Sequence, residues 1–130
     1  MFLKFKTNEE RRKHGGTAFV EFQFCKLKEN TRIRKIVSVN SIQNWKDDSL
    51  YLFVDDIDNF LEEYNDIFDS GVYNNMKSGN IDICGINYYS KDSIHKLLEI
   101  IKNKKPIDYE TIILWLEEAM NYNGFYILGI

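Results

Sequence analysis

Nine carboxylates fall between Asp47 and Asp69: Asp47, Asp48, Asp55, Asp56, Asp58, Glu62, Glu63, Asp66 and Asp69, with no Lys or Arg among them. Acids at that density can hold a hard cation, work as an acid–base pair, or present a charged face. A calcium loop of the EF-hand type needs oxygen-bearing residues at alternate places and Gly at the sixth. Counting from Asp56 puts Leu61 at the sixth place, and counting from Asp66 puts Phe68 at the third. No metal site is expected. Acid–base catalysis needs two carboxyl groups in environments that push them apart. Here Ile57, Phe60, Leu61, Tyr64, Ile67 and Phe68 recur at helical spacing, which assigns the acids to the solvated side of an amphipathic helix. Exposed carboxylates there are not tuned for proton transfer.

Asp58, Glu62 and Asp66 are spaced i, i+4, i+8, so like charges stack along one line of the helix. Each such pair costs ~0.2–0.5 kcal/mol where an opposite pair would contribute as much. A helix built only for stability would place Lys at one of these positions. The acids are then either a plain solvated helix face or a surface for a basic group, that group being a protein partner or the chain's own Arg32 and Arg34.

The other reactive residue types are sparse. His14 follows a basic run and His95 follows Asp92 and Ser93, a pattern of a helix start rather than a catalytic triad. The G-x-S-x-G elbow of serine hydrolases is absent. Cys25 and Cys84 lie far apart in strand-like runs, with no C-x-x-C pair, and read as two reduced, buried thiols. "HGG" at 14–16 lacks the rest of a phosphate loop. No cofactor is expected, and no enzymatic activity.

Charge is unevenly distributed. Residues 1–36 hold ten Lys or Arg against four acids, and residues 37–130 hold seven Lys against sixteen acids, within a net charge of −3. Arg11, Arg12 and Lys13, with Arg32 and Arg34, form a second candidate surface that could contact phosphates. Phe19, Phe22 and Phe24 are interleaved as in sheets that stack bases. Phe22 and Phe24 share the parity of Val20, however, which assigns them to the core.

The elements that position these residues follow from periodicity. Residues 2–6 read as a short strand and 7–16 as a polar connection. Residues 17–27 alternate strongly, with Ala18, Val20, Phe22 and Phe24 on one face and Phe19, Glu21, Gln23 and Cys25 on the other. Residues 31–39 read as a second strand of that meander, and 50–54 as another. The acidic helix follows, with Asp55 or Asp56 as N-cap and Gly71 as its stop. Residues 69–80 read as a Gly-flanked loop presenting Tyr73 and Met76. Residues 80–90 read as a strand with a bulge at Gly85. A helix ends in Lys102, Lys104 and Lys105 before Pro106; another starts at Asp108 with Ile107 and Ile112 as a staple. Residues 125–130 form a last strand.

The order β-β-β-β-α-β-α-α-β predicts one α+β domain over residues 1–130: a largely antiparallel sheet of five to six strands with three helices packed on it. The N-terminus lacks the apolar core of a secretion signal, and no apolar run approaches the ~18 residues of a membrane span. A cytoplasmic protein without membrane contact is the expectation. Size, charge and missing chemistry together point to an acidic protein-binding module. By analogy with bacterial immunity proteins, it would neutralise a nuclease toxin by covering a basic active-site surface. Asp55, Asp58, Glu62, Tyr64, Asp66, Asp69 and Tyr73 are the candidate contacts. The alternative is a nucleic-acid-associated domain using the basic N-terminal residues.

Overall fold

The computed structural model describes residues 1–130 as an antiparallel seven-stranded sheet with five α-helices. The elements are β1 (Phe2–Leu3), α1 (Asn8–Gly15), β2 (Phe19–Phe24), α2 (Ile33–Ile36), β3 (Leu50–Phe53), α3 (Ile57–Tyr64), β4 (Gly71–Tyr73), β5 (Ser78–Gly79), β6 (Ile86–Tyr89), α4 (Ile94–Lys104), α5 (Tyr109–Ala119) and β7 (Phe125–Leu128). The strand order is β1-β3-β2-β7-β6-β4-β5. The predicted class holds; the counts are larger.

Alternation in β2 decides which face each residue serves. Val20 and Phe22 stand opposite Leu52 and Leu50 of β3, and Phe22 also stands opposite Ile127 of β7. These side chains join Phe60, Phe68, Ile94, Leu98, Ile112 and Trp115 of the chain's helical layer in one buried cluster. Trp115 stacks on Phe24 with ring centroids 4.3 Å apart, and its indole N–H donates to the Asp48 carbonyl at 3.0 Å. The apolar stripes of α3, α4 and α5 thus cover one face of the sheet, as their spacing predicts.

The opposite face is covered by segments that read differently in the sequence. The predicted polar connection 7–16 is α1. Its Thr7 Oγ1 accepts from the Glu10 N–H at 3.1 Å, and Glu10 Oε2 accepts from the Lys6 N–H at 2.9 Å. T-x-x-E thus caps the helix in the manner of a capping box, with the Glu10 carboxylate reaching the N–H one residue before the N-cap. The predicted strand 31–39 is instead the helical turn α2 followed by a 3₁₀ turn at Val39–Ser41. Ile36 and Val37 are buried against Cys25, Tyr88, Tyr126 and Leu128, while Ile33 and Val39 are exposed. The apolar residues 33, 36 and 37 carry i, i+3, i+4 spacing, and that period wins over the alternation of 33, 37 and 39.

Four smaller assignments change. Residues 69–80 contain the hairpin β4–β5 rather than a loop. Residues 80–85 form a connection in which Asp82 Oδ1 accepts from the Cys84 N–H at 2.9 Å, so Gly85 sits in a turn and not in a bulge. Gly71 does not stop α3; it lies in β4, where a Cβ would come within 2.8 Å of the Tyr89 hydroxyl. Ile107 is exposed and does not staple α5. No helix is long and apolar enough to cross a membrane.

Candidate functional site

α3 carries the acidic line on its outer side. Ile57, Phe60 and Tyr64 point into the core, and Asp58, Asn59 and Glu62 are exposed. A 3₁₀ turn at Val54–Asp56 leads into the helix, and neither Asp55 nor Asp56 caps it by a side-chain hydrogen bond. The helix ends at Tyr64, and a further turn places Asp66 outward and Ile67 and Phe68 inward. Asp55, Asp58, Glu62, Asp66 and Asp69 are all exposed.

None of these acids has an intramolecular cation. The ion pairs in the chain are the N-terminus with Asp108, Lys26 with Asp48, and Lys91 with Glu29. Arg32 and Arg34 are exposed on and beside α2 and make no ion pair with the acidic face. The chain's own arginines therefore do not pair with the line.

Two aromatic candidates are committed to the fold. Tyr64 is fully buried, and its hydroxyl donates to the Ile107 carbonyl at 2.6 Å. Burial raises its pKa above the ordinary phenol value. It cannot touch a partner directly. Tyr73 is half-buried on β4, and its hydroxyl donates to the Asn80 carbonyl across the hairpin. An exposed apolar residue that the sequence pattern assigned elsewhere is joined to α3. Ile107 is 56% exposed, and its N–H donates to Glu63 Oε1 of α3 at 3.2 Å.

The basic candidates are dispersed. Arg11 is buried; Nε and Nη2 donate to Asn8 Oδ1, and the guanidinium lies 5.8 Å from the Tyr51 ring centre. It is packed in the second face rather than offered to phosphate. Arg12 and Lys13 are exposed on α1, and Arg32 and Arg34 lie at α2. His14 is on α1 among Phe5, Phe19 and Phe53 rather than in a loop, and His95 is exposed on α4. Cys25 is buried as expected, with its thiol pushed up by desolvation, whereas Cys84 is exposed. Both cysteines are free. No three His, Cys, Asp or Glu side chains gather into a metal-holding group.

No family model, curated protein or solved structure matches this chain.

Sequence reasoning missed one buried polar centre. Glu21, 5% exposed in the middle of β2, accepts from the N–H groups of Trp45 at 2.8 Å and Lys46 at 3.1 Å. Ser49 Oγ at 2.7 Å and Gln23 Nε2 at 3.0 Å also donate to it. Trp45 serves Oε1, while Lys46, Ser49 and Gln23 converge on Oε2 with the Tyr51 hydroxyl at 3.4 Å. The Tyr51 hydroxyl closes the same loop by accepting from the Lys46 N–H and donating to the Lys46 carbonyl. This set fixes residues 43–49 on the sheet, with Trp45 at φ 69°. The signal was present: Glu21 and Gln23 interrupt the apolar face that Phe19 and Cys25 begin and end.

Proposed function

We propose that the protein is a small acidic binding module that docks through the outer side of α3 onto a basic protein surface. In the specific form of this reading it is an immunity or inhibitor protein that neutralises a toxin, a nuclease, by covering its basic active-site surface. One observation carries it: the exposed acids Asp55, Asp58, Glu62, Asp66 and Asp69 stand without any cation of the chain beside them. Uncompensated charge of one sign speeds encounter with a surface of the other sign and rejects like-charged partners. Carboxylates at the rim contribute little affinity alone, so an apolar anchor has to accompany them. Exposed Ile107, tied to Glu63, supplies such a group in place of Tyr64.

The test is inhibition of basic nuclease domains at low salt by the wild-type protein and by the pair Asp58→Lys, Glu62→Lys. The reading expects inhibition that weakens with added salt, is lost in the charge-reversed pair, and drops in Ile107→Ala. Inhibition indifferent to the reversal would refute the docking face, and absence of any nuclease binding would refute the inhibitor role. Retention on heparin that Arg32→Glu abolishes would favour the nucleic-acid reading instead.

A further inference from the structure

On the sheet face opposite α3, an open cleft of about 340 Å³ lies between α2 and the segment 40–46. Three lysines line it, Lys26, Lys35 and Lys46, together with Asn40 and Gln43, and no carboxylate does. Its floor is Gln23 and Tyr126.

Both walls are fixed before any ligand arrives. The Lys46 N–H is bonded to Glu21 and to the Tyr51 hydroxyl, and the Gln43 carbonyl accepts from Gln23 Nε2 at 2.6 Å. On the other side, the Lys35 carbonyl accepts from Ser38 Oγ at 2.7 Å and Ser41 Oγ at 2.6 Å, which ties the end of α2 to the 3₁₀ turn. The lysines therefore project from backbone that need not reorganise, which lowers the cost of binding.

Of the three charges, one is spent internally and two are not. Lys26 is paired with Asp48 at 2.6 Å, and that carboxylate holds its ammonium protonated beyond the usual range. Lys35 has no acid within ion-pair distance, and the Lys46 ammonium donates to the neutral Gln43 side chain. The buried Glu21 behind Gln23 is already engaged by four close donors. Two lysines without an ion-pair partner thus line the cleft alongside the amide side chains of Asn40 and Gln43.

We propose that this cleft binds a small phosphorylated anion, a diphosphate or a phosphate monoester, between Lys35 and Lys46. Lysine serves as a point charge for phosphate oxygens. The volume is at the lower end for small-molecule clefts. A nucleic-acid strand would need a continuing basic track, and Asp47 and Asp48 interrupt it directly after Lys46.

Titration calorimetry of the full chain with inorganic pyrophosphate, glycerol phosphate and a thymidine oligonucleotide, at low salt, tests this. Saturable binding of pyrophosphate or glycerol phosphate is expected, and the stronger of the two identifies the class. Lys35→Ala and Lys46→Ala should each weaken it about tenfold. Lys102→Ala on α4 should leave it unchanged. Unaltered circular dichroism and thermal midpoints in the variants would show that folding is intact; both replaced side chains lie at the surface wall. Absence of saturable binding overturns the proposal. So does equal weakening by Lys102→Ala, and so does an oligonucleotide that binds tighter than both small anions.

Discussion

The two faces of one sheet are closed by different physics. On the first, Val20, Phe22 and Phe24 meet the apolar stripes of α3, α4 and α5 in a dense aromatic cluster. On the second, a single buried carboxylate, Glu21, gathers Trp45, Lys46, Ser49 and Gln23, and short helical turns cover what remains. Non-directional burial dominates the first face, whereas the second joins a smaller apolar cluster around Ile36 and Val37 to directed hydrogen bonding. The first tolerates changes that preserve volume; at the second, the placement of residues 43–49 depends on one residue's chemistry.

Removing Trp115 is the hardest blow to the first face. It is 1% exposed and touches Phe22, Phe24 and Phe125 edge-on or stacked. Trp115→Ala should cost about 3–5 kcal/mol in denaturant unfolding, from lost transfer energy and the cavity left behind. The remaining indole, Trp45, then reports the second face alone. A loss below about 1 kcal/mol would mean that the aromatic cluster is not the chief source of stability.

The matching blow to the second face is Glu21→Gln. The amide keeps one acceptor, and its NH2 group turns donors either toward the Trp45 N–H or toward the Lys46 N–H and the Ser49 hydroxyl. A loss of about 2–3 kcal/mol is expected, since bonds to an ionised group are the strong ones and the orphaned donors stay buried. Amide hydrogen exchange should speed up at residues 43–49 and stay slow in α3, α4 and α5. Uniform acceleration would show that the faces do not open separately.

This contrast also explains what the sequence disclosed. Helical stripes such as Ile94, Leu97, Leu98 and Ile101 state their buried side by spacing alone, so the three long helices and the central strands were legible. The acidic line was legible for the same reason, because the polar side of α3 is the complement of its stripe. Segments 31–49 were not. Their conformation answers to Glu21 and to the groove beneath Ile36 and Val37, and neither is a property of the segment itself. Lys26, Lys35 and Lys46 are scattered over twenty-one positions, and only the folded loop brings them to one cleft. Tyr64 shows the reverse error: it lies among acids in the sequence, yet at i+4 from Phe60 it belongs to the stripe and is buried.

Alkaline pH probes both faces together. Tyr64 and Tyr89 on the first face, and Tyr51, Tyr88 and Tyr126 on the second, have their pKa raised above the ordinary 10.0, chiefly by burial. The folded state therefore holds phenol protons that the unfolded chain releases. Their contribution to stability is fully present below pH 10 and declines as pH rises through and above it, by at most about 1.4 kcal/mol per unit for each group. Phenolate absorbance from these five should rise together with the loss of near-ultraviolet circular dichroism. Early ionisation of Tyr51, Tyr88 and Tyr126 before α3–α5 unfold would show that the hydrogen-bonded face yields first.

The smallest effect is the most informative about purpose. Asp58, Glu62 and Asp66 repel along the outer side of α3, and no cation of the chain relieves them. Glu62→Lys replaces one repulsive i, i+4 pair inside the helix, with Asp58, by an attractive one. Asp66 sits two residues past the helix end and contributes less. The variant should be more stable than the wild type, by roughly 0.4–1 kcal/mol, measured as a rise in the denaturation midpoint with unchanged slope. The aromatic core beneath is not touched, so neither face of the sheet should respond in hydrogen exchange. If stability rises while inhibition of a basic nuclease is lost, the carboxylate at position 62 costs the fold free energy that only a partner recovers. If stability falls, the line is part of how the helix holds, and the docking face loses its principal argument.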